Sequence, residues 1–394
     1  MITGSSPLGA AATLAELTED PHPLLARLRA AEPVSWLPTL GGWLVTRRDL
    51  AVAVMRDAQT YTVDDPRFST AQVVGPSMLS LDGPEHAVHR DPFTAPFRLR
   101  ELHGAGFAER IQQEATRLVD GLGPHGTAEL RRAFAGPLAA VVMTDILGLA
   151  GADTATVLAW YDGIVHAVNE ITEGRPAGTE GAAAYTELRQ AVADTVQAGA
   201  RADSGRSLLL SAAGRLGLPE LTSNAAVLLF GGIETTEAMI ANALLHLLAD
   251  PDLPARVRAD DSLLDNAVEE SLRLEPGAAV VDRYATRDTR LGPAEIRRGD
   301  LVTVSLAGAN RDPAVFEDPD TFDIDRANSR LQLAFAHGPH YCLGAHLARL
   351  ETRIALRTLL DALPGLRLDP ERPSAPRGLV FRKPPTLHAL WTAT

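Results

Sequence analysis

Phe335-Ala336-His337-Gly338-Pro339-His340-Tyr341-Cys342-Leu343-Gly344 is the stretch on which the reading of this chain turns. Cys342 is the only cysteine among 394 residues, so neither an intramolecular disulfide nor an all-cysteine metal site can form. A lone cysteine is ordinarily a small buried hydrophobe. This one stands just before a helical pattern over residues 345–363. There, backbone N–H groups and the helix dipole lower a thiol's pKa and temper the charge of its thiolate. Gly338 and Gly344 allow a tight backbone path and close approach to a flat macrocycle, and Phe335 supplies an apolar wall. The arrangement suits a thiolate ligand for haem iron.

Two upstream segments point the same way. Residues 221–248 carry the pattern of a helix of nearly eight turns, yet its middle is Phe230-Gly231-Gly232-Ile233-Glu234-Thr235-Thr236. Paired glycines and threonines cost roughly 1 kcal/mol or more against alanine in a helix. Thr235 lies four residues after Gly231, so its hydroxyl can bond the Gly231 carbonyl and open the helix locally. Further on, Glu270 and Arg273 are three apart on one helical face and can form a bidentate pair. Alone, such a pair is worth little if solvated.

Residues 335–344 match the cysteine-loop signature of the cytochrome P450 family: Phe, two residues, Gly, three residues, Cys, one residue, Gly. The chain resembles that family in its other motifs too, and the resemblance implies the rest of a site. The cofactor would be haem b with Cys342 as axial ligand, within a cysteine loop formed by Phe335, Gly338 and Gly344. His86, Arg90, Arg283 and His340 stand where the family binds the propionates. Gly231, Glu234 and Thr235 resemble its oxygen-activation motif, with Glu where Asp is more usual. Glu270 and Arg273 would brace the haem-binding core. Thr321 stands at about the position of their usual third partner, an arginine, leaving Arg326 or His337 as substitutes.

For the pocket, the resemblance points to the loop 61–81 with Met78 and Leu79, to the 169–171 region with Ile171, and to Leu228 and Leu229. Val280 and Val281, and Val380 within 379–381, would complete its walls. The implied activity is monooxygenation, foremost hydroxylation, of a mainly hydrophobic small molecule such as a secondary metabolite. O2 would be the co-substrate, with electrons from a separate ferredoxin and reductase and ultimately NAD(P)H. That donor would dock near Arg98, Arg100 and Arg349. A haem-binding sensor without turnover and a peroxide-driven variant are the alternatives; the Glu234–Thr235 pair argues against both.

The remaining sequence fits a mainly α fold with small β-sheets in one domain, residues 1–394. Helical spacing marks residues 23–31, 49–56, 107–122, 130–147, 156–171, 182–200 and 263–274. Strand-like pieces occupy 34–37, 42–45 and parts of 280–305, with a final hairpin pairing 379–381 with 387–391. Residues 61–83 read as a long loop and 310–334 as irregular. A formal net charge of −13 argues against nucleic acid or anionic membrane as partner. The N-terminal stretch lacks the pattern of a signal peptide, so a cytoplasmic location is expected.

Overall fold

The central helix of the computed structural model runs from Leu218 to Ala249, 32 residues or about 48 Å. It begins after Gly217 with a proline in its first turn, where a missing N–H costs nothing. Its side chains are buried around most of its circumference, including Glu234, Glu237 and Asn242, so no polar stripe is visible in the sequence. Length and hydropathy alone would let it cross a bilayer, but 83% of its most apolar stretch is buried inside the protein. Helices Gly136–Leu147, Thr154–Thr172, Thr179–Gly199, Asp261–Leu274 and Ala345–Ala362 pack around it. The structure describes residues 7–98, 106–149, 151–199 and 207–393.

Most expected helices form within a few residues of their sequence bounds. The 130–147 segment opens instead with a π-helical turn, Arg131–Ala135, before the α-helix Gly136–Leu147. Pro137 has no N–H to give the carbonyl four residues back, and the Gly136 N–H reaches the Arg131 carbonyl. The segment expected at 182–200 spans Thr179–Gly199, and Ala200 lies outside the described residues. The long loop at 61–83 contains a short helix, Ser69–Val74.

A five-stranded sheet lies beside the helical body in the order Val34–Leu37, Gly42–Val45, Leu301–Ser305, Val280–Ala285, Tyr61–Thr62. Gly42–Val45 and Leu301–Ser305 run parallel, with Gly42 opposite Leu301; the other pairs are antiparallel. The expected terminal hairpin does not form. His388–Leu390 pairs with Thr127–Glu129 and Arg367–Leu368, while Phe381 bridges Ala278. Each segment is taken up by another partner: the Val380 carbonyl accepts the Ala279 N–H at 2.8 Å, and His388–Leu390 is paired on both edges.

Glu270 and Arg273, on helix Asp261–Leu274, have no solvent exposure. The guanidinium donates to both carboxylate oxygens, at 2.7 and 2.8 Å. Its remaining N–H groups meet the carbonyls of Asn310, Pro319 and Thr321. Arg326 is the third partner, donating from Nε to Glu270 at 2.8 Å. His337 is engaged elsewhere, with Arg56, and Thr321 takes part through its carbonyl alone.

Replacing Arg326 by Met strips a buried carboxylate of a charge partner and lowers unfolding free energy by about 3–5 kcal/mol. Chemical denaturation checks this, and a loss below about 1 kcal/mol contradicts the assigned role. His246, stacked on Phe322 at 5.0 Å, gives a pH dependence. Burial lowers its pKa from 6.5 to about 4, so the unfolded chain binds the proton more readily. Stability therefore falls as pH drops from about 6.5 toward 4, by roughly 3 kcal/mol from this group. In a His246→Asn variant, the acid limb of the denaturation profile should be shallower across that window; an unchanged slope refutes it.

Candidate active site

The cysteine loop is closed by its own backbone. The Cys342 N–H donates to the Phe335 carbonyl at 2.9 Å, and the Tyr341 N–H to Gly338 at 3.0 Å. Ala336 takes φ 57°, an uncommon conformation for a residue with a side chain, and Gly338 takes φ 75°. A Cβ on Gly338 would sit 2.3 Å from the Met55 carbonyl, so this glycine serves contact with helix Arg48–Arg56 and does not line the cavity. Gly344 does line it. Behind the loop, Arg349 lies over the Phe335 ring at 4.3 Å and pairs with buried Glu269.

Cys342 is exposed only toward this cavity, which its residue lines. Burial pushes its thiol above the ordinary range, against the lowering expected from the helix start; the Gly344 N–H, Arg90 and Arg349 oppose that push. Coordination to a metal deprotonates such a thiol outright.

The same cavity is lined by Phe335, Leu343 and Gly344 from the loop, and by Gly231, Gly232, Thr235 and Thr236 from the central helix. Thr235 Oγ1 donates to the Gly231 carbonyl at 2.6 Å, as its spacing predicted. Met78, Leu79, Leu228, Val280, Val281 and Val380 line it too. Leu229 and Ile171 do not: Leu229 is fully buried in the core, and Val168 and Thr172 take the expected place of Ile171. The lining positions 227, 228, 230, 231, 232, 235, 236 and 239 recur at helical spacing, a pattern that includes Leu228 and leaves out Leu229. Phe381, within the expected segment 379–381, lines it as well, and Phe97, Met143 and Met239 are further lining residues that the motifs did not mark. So is Glu351, whose carboxyl burial raises to about 8.

Arg90, Arg283 and His340 line one polar part of the cavity. His340 Nε2 meets Asp82 at 2.8 Å, and Asp82 also accepts from Thr62 Oγ1 and the Val63 N–H. Those bonds hold the Asp82 carboxyl below its usual range despite burial. The His86 ring lies 4.5 Å from that of His340, and its Nε2 is buried without a partner. Burial, with His340 and Arg90 nearby, lowers the His86 pKa to about 4. His86 does not itself line the cavity; two guanidiniums and a cysteine sulfur around it, with the orphaned imidazole nitrogen of His86 behind His340, fit a flat, metal-bearing macrocycle with carboxylate arms.

Glu234 does not line the cavity. Its buried carboxylate accepts from Tyr161 and pairs with Lys383 Nζ at 2.8 Å, so Thr235 faces the cavity and Glu234 a polar cluster behind it. Among the arginines expected to dock a partner, Arg98 is exposed and Arg349 is held by Glu269; Arg100 lies outside the described residues.

Asp82→Asn removes the charge that bonds His340. The variant should unfold about 1.5–3 kcal/mol more easily, the value of a hydrogen bond to a charged group. The His340 pKa, already lowered by burial, should fall further. NMR titration of the imidazole checks this, and a rise contradicts it.

The family model described as Cytochrome P450 matches residues 184–388. The chain is 35% identical over 393 residues to "Cytochrome P450 monooxygenase PikC" of Streptomyces venezuelae, covering 95% of this chain and 90% of that protein. It is 34% identical to "Mycinamicin IV hydroxylase/epoxidase" of Micromonospora griseorubida, covering 92% and 94%. Among solved structures, CalO2 superposes with a TM-score of 0.86 at 29% identity, covering all of both chains. P450BioI, in complex with an acyl carrier protein bearing hexadec-9Z-enoic acid, gives 0.84 at 29%, covering 95% and 99%.

Proposed function

The chain belongs to the cytochrome P450 family, and we propose that it is a single-domain haem-thiolate monooxygenase that hydroxylates an uncharged, mainly apolar secondary metabolite. The observation that carries this is one apolar cavity onto which both Cys342 and Thr235 open. In this reading Cys342 ligates haem b, and Arg90, Arg283, His340 and His86 hold its propionates. Bound there, the haem supplies the iron at which O2 is activated with two electrons.

The chain's residues do the rest. Phe335 and Leu343 supply apolar surface beside the sulfur, and Arg349, tied to Glu269, braces the loop from behind. Thr235 bonds back to the Gly231 carbonyl and presents beside the cavity a hydroxyl that can hand on a proton. Glu234, one residue away but turned from the cavity, is the acid that would resupply it. The hydrophobic wall from Met78, Leu79, Leu228, Val280, Val281 and Val380 binds the substrate by burial and orients it without a salt bridge.

Relatives named for mycinamicin IV, for 20-oxo-5-O-mycaminosyltylactone and for nocardicin C support a secondary-metabolite substrate. With a single cysteine these 394 residues hold no iron–sulfur cluster of their own, which supports a separate electron donor. In this reading the donor is a ferredoxin with its NAD(P)H-dependent reductase, in the cytoplasm.

Turnover under 18O2 with a surrogate ferredoxin system tests the reading. One labelled oxygen should enter a substrate identified by its spin-state shift. Thr235→Ala should lower product formed per electron pair roughly tenfold or more while reductant is still consumed. Label from water, or an unchanged product yield in Thr235→Ala, contradicts it.

A further inference from the structure

Of the 37 basic side chains in this protein, one is a lysine, Lys383; every other is an arginine. That lysine is not at the surface. Its side chain is 11% exposed and its ammonium lies among three oxygens: Glu234 Oε2 at 2.8 Å, Tyr161 Oη at 2.9 Å, and Glu237 Oε2. An ammonium has three N–H donors; here it donates to Tyr161 and Glu237 and forms an ion pair with Glu234. Tyr161 in turn donates to Glu234, with Glu237 3.3 Å away. Burial beside two carboxylates raises the Tyr161 pKa, so the phenol keeps its proton.

The cluster continues outward. Glu237 Oε1, buried without a hydrogen bond, faces Arg131 Nε at 3.8 Å and Arg132 at 3.9 Å. Arg132 is 41% exposed and bonds Asp162 at 3.0 Å, itself at the surface. Polar groups thus reach from the surface at Arg132 and Asp162 to Glu237, and on through Lys383 and Tyr161 to Glu234; the arginines give up no proton, so Glu237 takes its proton from solvent beside them. The next residue, Thr235, opens on the cavity. Lys383 is firmly placed: its neighbour Arg382 is buried in bonds to Glu275, Gly378 and Pro376, and Phe381 is part of the cavity wall.

Charge alone does not account for a lysine here. An arginine would balance the carboxylates equally well, but it does not give up a proton and its planar fork does not converge on three acceptors. We propose that Lys383 is the positioning residue of a proton path, holding Glu234 and Glu237 around one ammonium so that a proton arriving at Glu237 is passed to Glu234. Nζ releases one proton to the Glu234 carboxylate and takes one from the Glu237 carboxyl. The ammonium is restored, one proton has moved inward, and no electron has been transferred. The inference rests on the monooxygenase reading, in which protons are consumed beside Thr235.

Because the lysine is unique, full-length holoprotein labelled with [15N]lysine gives one side-chain Nζ signal. The expected signal is an ammonium slow to exchange with water, shifted by Glu237→Gln, in a protein whose lysine is acylated at least roughly tenfold more slowly than the α-amine. A freely exchanging, readily acylated amine overturns the proposal without reference to catalysis. In turnover, Lys383→Met and Lys383→Arg should both lower product per electron pair roughly tenfold and enlarge the solvent deuterium isotope effect. The carbon monoxide spectrum and substrate Kd should stay within twofold of the parent. If Lys383→Arg keeps the parent's coupling and isotope effect, Lys383 is only a charge clamp and the proposal fails. If the parent itself gives no thiolate-type carbon monoxide spectrum, the monooxygenase reading fails instead, while the NMR arm still decides the placement of Lys383.

Discussion

The buried pair of Glu270 and Arg273 is the constraint from which the cysteine side of the site is built. Two charges without solvent exposure are tolerable only if every donor and acceptor is met, and here they are. Meeting them recruits distant chain: the carbonyls of Asn310, Pro319 and Thr321, and the side chain of Arg326. Asn310 then accepts the Leu333 N–H, two residues before Phe335. Glu269, beside Glu270, pairs with Arg349, which lies over the Phe335 ring. The irregular stretch before the cysteine loop is thus fixed by polar bonds in place of a helix or strand ladder. The position of Cys342 inherits that rigidity.

The central helix makes the opposite bargain. Nearly all of its length is committed to packing, yet at Gly231–Thr236 it gives up helix propensity and a side-chain hydroxyl turns inward on the backbone. One face of that segment opens on the cavity and the other carries Glu234 and Glu237 into a buried charged cluster. A local weakness in the helix and a local concentration of charge therefore share the same two turns. That an apolar cavity and a buried charged cluster lie on different sides of one helix follows from the 100° step between Glu234 and Thr235.

The motifs in the sequence were enough to foresee a mainly α fold, the long central helix, and the joining of Cys342, Arg90, Arg283, His340 and Thr235 around one cavity. These depend on short spacings and on residue types with few other uses. What the sequence concealed depends on partners remote along the chain. The sequence offered Arg326 and His337 alike as third partner of Glu270; what it did not show is that the segment 317–326 folds its carbonyls around both guanidiniums and so selects Arg326. Gly338 faces Met55, 283 residues before it, and not the cavity. The terminal segment passed over its expected partner because both sides found remote ones, Phe381 at Ala278 and His388–Leu390 at Thr127–Glu129. Lys383 drew no notice as a motif; its meaning lies in being the one lysine and in where the fold brings it.

The central claim is that Cys342 presents a thiolate to haem iron in this cavity. The most direct test is the carbon monoxide difference spectrum of the dithionite-reduced protein beside a Cys342→Ser variant. The account predicts the red-shifted Soret band that thiolate ligation gives, present in the parent and lost in the variant. A parent that binds no haem, or a band that survives loss of the sulfur, would contradict it.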